Sequence, residues 1–242
     1  MSGEAVRFEG TGSLLVVVHG WAMAPEAFGA WRERLTARYR VAWVTLPGHG
    51  QRPDTSWTPE SAADEVVAAL PAPAVWLGWS LGAQIALAAA QRHPAAVRGL
   101  LPVAATPSFV TRSDWPCAVR APVLRRMRRR LAEAPAAVAE AFAREVAEGP
   151  APAAGGGVHA LDDGLRWLGE RDWRPVLQTI DVPARWVIGS ADPLVPAAAS
   201  RAAAEAMPGG ACLELAGAGH MPFIHHPAIV EDALAELFAE DS

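Results

Sequence analysis

Lysine is absent from the chain: all 21 basic residues are Arg, set against 26 acidic ones, for a formal net charge of −5. A phosphate-binding loop ending in Lys is thereby excluded, and no strongly basic domain is present to hold nucleic acid. The Arg-only usage accompanies abundant Ala, Gly and Pro, the pattern of a GC-rich coding sequence, and carries no functional reading of its own. Cysteine is nearly missing too. Cys117 and Cys212 lie far apart in no metal-like spacing, so neither a disulfide framework nor a zinc site is expected, and both read as small buried side chains. Although 51% of the residues are hydrophobic, unbroken apolar runs such as residues 14–18 are strand-sized, and no transmembrane helix is expected. The first nine residues hold acidic side chains and no apolar stretch, so they do not read as a secretory signal. A cytoplasmic monomer, free of metal, cofactor, nucleic acid and membrane, is the expectation.

A chain of 242 residues can bury a large core within one principal domain. Apolar, β-branched runs at 14–18, 41–46, 75–77, 99–104 and 184–188 have strand length, and several read as buried on both faces. Residues 25–38 place Phe28, Trp31 and Leu35 at helical spacing, and 83–91 form a small-residue helix. Strand and helix in alternation predict an α/β fold with a mostly parallel central sheet covered by helices on both faces. The rhythm breaks over 107–175, where helical pieces at 119–132, 136–148 and 161–170 are separated by Pro- and Gly-rich stretches such as 149–157. This predicts a core of residues 1–106 and 176–242 with a helical lid, 107–175, inserted into it. Afterwards come a helix over 196–206, a short strand over 212–215 and a closing helix over 227–239. No internal repeat is present.

The chemistry concentrates at Gly78-Trp-Ser80-Leu-Gly82, a Gly-x-Ser-x-Gly motif directly after a predicted strand and before a predicted helix. That context is what a nucleophile elbow requires: a sharp turn exposes Ser80 while the glycines let strand and helix pack closely. A serine hydroxyl needs a base, and in this arrangement the chain order is Ser, acid, His. His220, in the glycine loop after the last predicted strand, is the chosen base. His93 reads as a cap, His159 lies in the lid, and His225 and His226 read as a pair opening the final helix. Asp192 follows the strand 184–188 and is the acid, whereas Asp181 precedes that strand and falls at the opposite edge of the sheet. The backbone N–H groups of Leu81 and Trp21 are the expected oxyanion donors, and His19 reads as a residue that shapes the loop before Trp21.

With these residues in place, the chain resembles the α/β-hydrolase esterases, and among them the pimeloyl-[acyl-carrier protein] methyl ester esterases of bacterial biotin synthesis. The motifs are His19-Gly-Trp21, Leu46-Pro-Gly-His-Gly50, Trp76-Leu-Gly-Trp-Ser-Leu-Gly82, Asp114-Trp-Pro116, Asp192-Pro-Leu-Val-Pro196 and His220-Met-Pro-Phe-Ile-His-His-Pro227. The resemblance implies a carboxylesterase that releases methanol from a pimeloyl methyl ester carried on acyl-carrier protein. It also implies substrate contacts at Trp21, Ser80, Leu81 and His220 and at the lid positions Phe142, Ala143, Arg144, Glu145 and Val146. A broad short-chain carboxylesterase or a thioesterase on the same scaffold stays open, as does a non-catalytic ligand-binding member. The sequence departs from the family pattern Glu-Arg-Phe, whose Arg helps hold the carrier, with Glu140-Ala141-Phe142. Arg144, or the run Arg125 to Arg130 together with Arg120, offers a cationic face that either meets an acidic partner or is simply solvated.

Overall fold

A computed structural model describes residues 3–147 and 155–239. The expected helix end at residue 148 and residues 149–154 of the predicted break lie outside them. Seven strands form the sheet among the described residues: β1 (Val6–Glu9), β2 (Leu14–Val18), β3 (Arg40–Val44), β4 (Ala74–Trp79), β5 (Val97–Val103), β6 (Ala184–Gly189) and β7 (Gly210–Leu215). Their spatial order is β1-β3-β2-β4-β5-β6-β7. Only β1 runs antiparallel, against β3.

Two apolar clusters sandwich this sheet, and the side-chain period of two in β2 assigns its residues to them. Leu15 and Val17 join one cluster, Val16 and Val18 the other. Every residue of β2 and β4 is buried, as expected of central parallel strands covered on both faces, and each fully buried Leu or Val stabilises by about 1.5–3 kcal/mol. The covering helices are α1 (Trp31–Thr36), α2 (Pro59–Ala69), α3 (Leu81–Arg92), α8 (Ala197–Glu205), α9 (Pro222–His225) and α10 (Pro227–Ala239).

Several local outcomes differ from the sequence expectation. The helix expected over 25–38 is split: a 3₁₀ turn over Pro25–Phe28 ends at Gly29, whose φ of 53° breaks the helical run before α1. Helix α2 and strand β1 were not anticipated. Both cysteines are free and only partly buried, against the expectation of burial. Burial of the Cys212 thiol still pushes its pKa up to about 11. His225 closes α9 and His226 precedes α10, so the two do not open one helix together.

Between β5 and β6 the chain leaves the sheet for α4 (Ala121–Glu133), α5 (Pro135–Val146), α6 (Val158–Glu170) and α7 (Arg174–Leu177). The excursion is closed at its neck by Trp173 N–H donating to Pro107 O over 2.9 Å. Within it, the Arg128 guanidinium forms two hydrogen bonds, 2.8 and 2.7 Å, to Asp162, tying α4 to α6. Helix α6 is also fastened to the sheet domain. Asp54 accepts from His159 N and Ala160 N in its first turn, where a carboxylate is stabilised by the free amides. Asp163 accepts from Trp57 N at 3.0 Å, and Trp167 Nε1 donates to Trp57 O at 2.6 Å.

Candidate active site

Ser80 stands at the turn from β4 into α3 with φ 54° and ψ −116°. A β-substituted residue rarely adopts this backbone, and holding it there costs on the order of 1–3 kcal/mol. The surroundings impose it. Ser80 N–H donates to Val103 O at 2.9 Å, pinning the turn to β5. The flanking glycines are obligatory on steric grounds, since a Cβ at Gly78 would lie 2.5 Å from the Ala83 backbone and one at Gly82 would lie 2.3 Å from Val18 O. Leu81 is the first residue of α3, so its amide belongs to the free donor set at the helix start.

Asp192 and His220 leave the C-terminal ends of β6 and β7, the same sheet edge as Ser80 after β4. Their side chains are wholly buried, and His220 Nδ1 lies 2.8 Å from Asp192 Oδ2. The other carboxylate oxygen accepts from Leu194 N and Val195 N at 2.8 and 2.9 Å, so the carboxylate is fixed by its own loop. With Nδ1 donating to the carboxylate, the opposite nitrogen is an acceptor. That Nε2 is buried and has no hydrogen-bond partner among the described residues. The two loops interlock: Ala191 N donates to Ala218 O at 2.9 Å and Gly217 N to Ser190 Oγ at 2.9 Å. Gly189 permits this approach, because a Cβ there would lie 2.1 Å from Ala218 O. A further clamp, which the sequence did not reveal, is Trp79 Nε1 donating to His220 O at 2.9 Å.

The loop after β2 passes beside the elbow, with the Cβ position of Gly20 3.4 Å from Ser80 Cβ. His19 is fully buried in that loop; its Nε2 accepts from Leu46 N at 3.1 Å, so the proton sits on Nδ1, which donates to Gly20 O at 2.8 Å. Gly20 O also accepts from Met23 N at 3.2 Å. In a trans peptide the C=O and the following N–H point oppositely. Two donors on Gly20 O therefore fix the direction of the Trp21 N–H. The ring of His49, from the motif at residues 46–50, lies 5.0 Å from that of His19. Burial, with Arg52 contributing, holds both imidazoles neutral: the pKa of His19, lowered further by its neighbour His49, falls to about 3, and that of His49 to about 4.

Ser80 and Trp21 open on a cavity of about 100 Å³ roofed by the inserted helices, with Val123, Met127, Leu165 and Phe142 among its walls. Phe142 meets Trp21 edge to face, ring centroids 5.0 Å apart. Gly164 in α6 lets the roof settle on Trp21 and Leu81, since a Cβ there would stand 2.8 Å from Trp21 Cδ1. Of the five consecutive lid positions named from sequence, Phe142 and Glu145 line the cavity, sharing a helix face at i and i+3. Ala143 and Val146 turn into the core, and Arg144 is exposed. Ala141 lies in a neighbouring groove with Arg126 and Arg130. His93 pairs with Asp64 at 2.6 Å, away from the cavity. Asp181 borders a depression at the N-terminal end of β5 with Val97 and Arg98. Among the described residues no helix is long and apolar enough to cross a membrane.

Residues 15–233 match the model of the alpha/beta hydrolase family. The chain is 40% identical to a pimeloyl-[acyl-carrier protein] methyl ester esterase of Xanthomonas oryzae pv. oryzae, covering 95% of this chain and 96% of that one. It is 38% identical to the enzyme of the same name from Stenotrophomonas maltophilia, over 97% and 96%. Among solved structures, an esterase from Exiguobacterium antarcticum superposes with a TM-score of 0.87 at 22% identity, over 96% of this chain and 94% of that one. A bromoperoxidase from Bacillus anthracis gives 0.87 at 18%, over 97% and 94%; at such identity the likeness speaks for fold alone. An elbow serine, an acid and a histidine at one edge of a mostly parallel sheet, in a chain matched over nearly its whole length, place this protein in the alpha/beta hydrolase family.

Proposed function

We propose that this chain is a carboxylesterase that hydrolyses the methyl ester of pimeloyl-[acyl-carrier protein], releasing methanol in biotin synthesis. The observation that carries the chemistry is the buried Asp192–His220 pair, whose acceptor nitrogen is unpaired, on the sheet edge where the strained Ser80 meets an apolar cavity. The substrate is argued from the likeness to relatives bearing that name over nearly the whole chain.

In the cycle, His220 Nε2 takes the Ser80 hydroxyl proton as Oγ bonds to the ester carbonyl carbon. The Trp21 and Leu81 amides receive the developing oxyanion. The bond to methoxide breaks, and methanol leaves with the proton from Nε2. Water then gives a proton to Nε2 while its oxygen attacks the acyl group, and Ser80 Oγ recovers that proton as the acid departs. Asp192 stabilises the imidazolium in both halves. Phe142 and Glu145 are the lid positions assigned to substrate contact, and residues 107–175 the lid itself. Side chains and backbone amides of this chain, with water, carry every step. A cytoplasmic monomer meeting its carrier transiently completes the reading.

The test is methanol release from methyl pimeloyl-carrier protein by wild type and Ser80→Ala. Turnover by the wild type and its loss in the variant, with an unchanged circular dichroism spectrum, is expected. Near-normal turnover by Ser80→Ala overturns the mechanism. Cleavage of short esters without the carrier-bound one favours a broad short-chain carboxylesterase.

A further inference from the structure

The Ser80 cavity does not end at its own walls. A groove of about 190 Å³ between α4 and α5 shares Val123, Met127, Phe142 and Glu145 with it. On the outer side of these shared residues the groove is lined by Arg126 and Arg130. Val123, Met127 and Arg130 recur at i, i+4 and i+7, so they follow one face of α4, and the backbone of Arg130 lies about 10 Å along the helix axis from Val123 at 1.5 Å per residue. Helix α4 holds five Arg residues within Arg125–Arg130 in a chain whose formal net charge is −5. Their surroundings differ. Arg128 is engaged by Asp162 across α6; Arg125 and Arg129 border a separate depression beside that same carboxylate and not the groove, whereas Arg126 stands between the two and lines both. Arg126 and Arg130 face the groove, are exposed, and make no ion pair among the described residues.

The path from Ser80 is therefore graded in polarity. It begins in an apolar cavity whose one ionisable wall residue is the Glu145 carboxylate, and it continues past that carboxylate to two free guanidiniums. An anion is disfavoured at the inner end and favoured at the outer one. We infer that the α4–α5 groove is the outer subsite of the substrate path, in which Arg126 and Arg130 hold the phosphate of a long thioester arm while the neutral ester at the arm's other end reaches Ser80. This rests on the carrier-tethered substrate of the preceding reading and adds to it the group that is recognised and the direction of entry: ester first, phosphate last.

The experiment compares two esters differing only at the far end, the methyl pimeloyl thioesters of phosphopantetheine and of pantetheine, with p-nitrophenyl butyrate as a short neutral control. Wild type is expected to show a higher kcat/KM for the phosphorylated ester, through a lower KM, and to lose the preference as salt is raised. The double variant Arg126→Ala/Arg130→Ala is expected to lose about fivefold on the phosphorylated ester, the scale of two exposed charge contacts, with both other substrates unchanged. Arg125→Ala/Arg129→Ala should behave as wild type. Equal kcat/KM for the two pantetheine esters in wild type, or full retention of the preference in the double variant, overturns the subsite and leaves the esterase reading standing. If wild type cleaves p-nitrophenyl butyrate and neither pantetheine ester, the carrier-linked reading and the subsite fall together.

Discussion

The indole of Trp79 donates to the carbonyl of His220 over 2.9 Å, joining the residue before the elbow serine to the loop that carries the imidazole, 141 positions later in the chain. Both partners are buried, so in the proposed mechanism the bond acts by positioning the base. Trp79→Phe keeps a ring and strands the carbonyl. A loss of about 1–3 kcal/mol in urea unfolding is expected, with kcat falling more than KM rises. Unchanged kcat alongside that destabilisation would show that the bond serves stability alone.

Asp192 distinguishes shape from charge. Its Oδ1 holds Leu194 N and Val195 N, while Oδ2 faces His220 Nδ1. In Asp192→Asn the carbonyl can keep the loop bonds, but the amide then donates toward Nδ1 and drives the proton to Nε2, the tautomer that cannot accept from Ser80. We expect kcat to fall roughly 10³–10⁴-fold, with a thermal midpoint close to wild type. Activity within tenfold of wild type would remove Asp192 from the mechanism.

The two buried histidines predict acid sensitivity. Unfolded, each imidazole titrates near 6.5; folded, burial lowers His19 to about 3 and His49 to about 4. Between these limits the unfolded chain binds protons that the folded one refuses. Their contribution is therefore intact above pH 6.5 and is lost as pH falls from 6.5 toward 4 and then 3. At pH 5 the loss is at most about 2 kcal/mol per histidine. Urea unfolding at pH 7.5 and 5.0 measures it, and His49→Gln should show a smaller drop than wild type. An identical drop in both proteins would count against the pair.

Gly82→Ala tests the elbow sterically. The added Cβ meets Val18 O at 2.3 Å, and the backbone of a central buried strand cannot yield to it. Destabilisation of about 3 kcal/mol or more, or insoluble expression, is the expected outcome. A stable, active variant would mean that strand and helix separate more easily than their packing implies.

What the sequence disclosed followed from periodicity and from special residues at fixed offsets. Continuous apolar runs such as 14–18 have one structural solution in an alternating chain, and the glycines around Ser80 mark a turn that only they permit. Strand β1 escaped because four residues, VRFE, at a half-exposed edge leave no run to read. Helix α2 did carry a signal: Thr58 and Ser61 form a reciprocal capping box with Pro59 at the first helical position. The clamps were illegible for a different reason. Trp79 to His220, Trp21 to Leu161 and Trp57 to Asp163 each span more than a hundred residues, and a donor's partner at that separation is set by folding, not by local pattern. Likewise, helical spacing does not tell which of residues 142–146 face Ser80 until the helix is docked.

The bond from Trp21 Nε1 to Leu161 O, 2.8 Å long, crosses from the loop beside Ser80 to the roof helix α6. The ring of Trp21 is therefore seated by the roof, while the backbone amide of the same residue is aimed by the two donors on Gly20 O within its own loop. One residue answers to two elements at once, its side chain to α6 and its main chain to the loop after β2, so the walls of the cavity and the floor beside Ser80 are registered to each other through a single position.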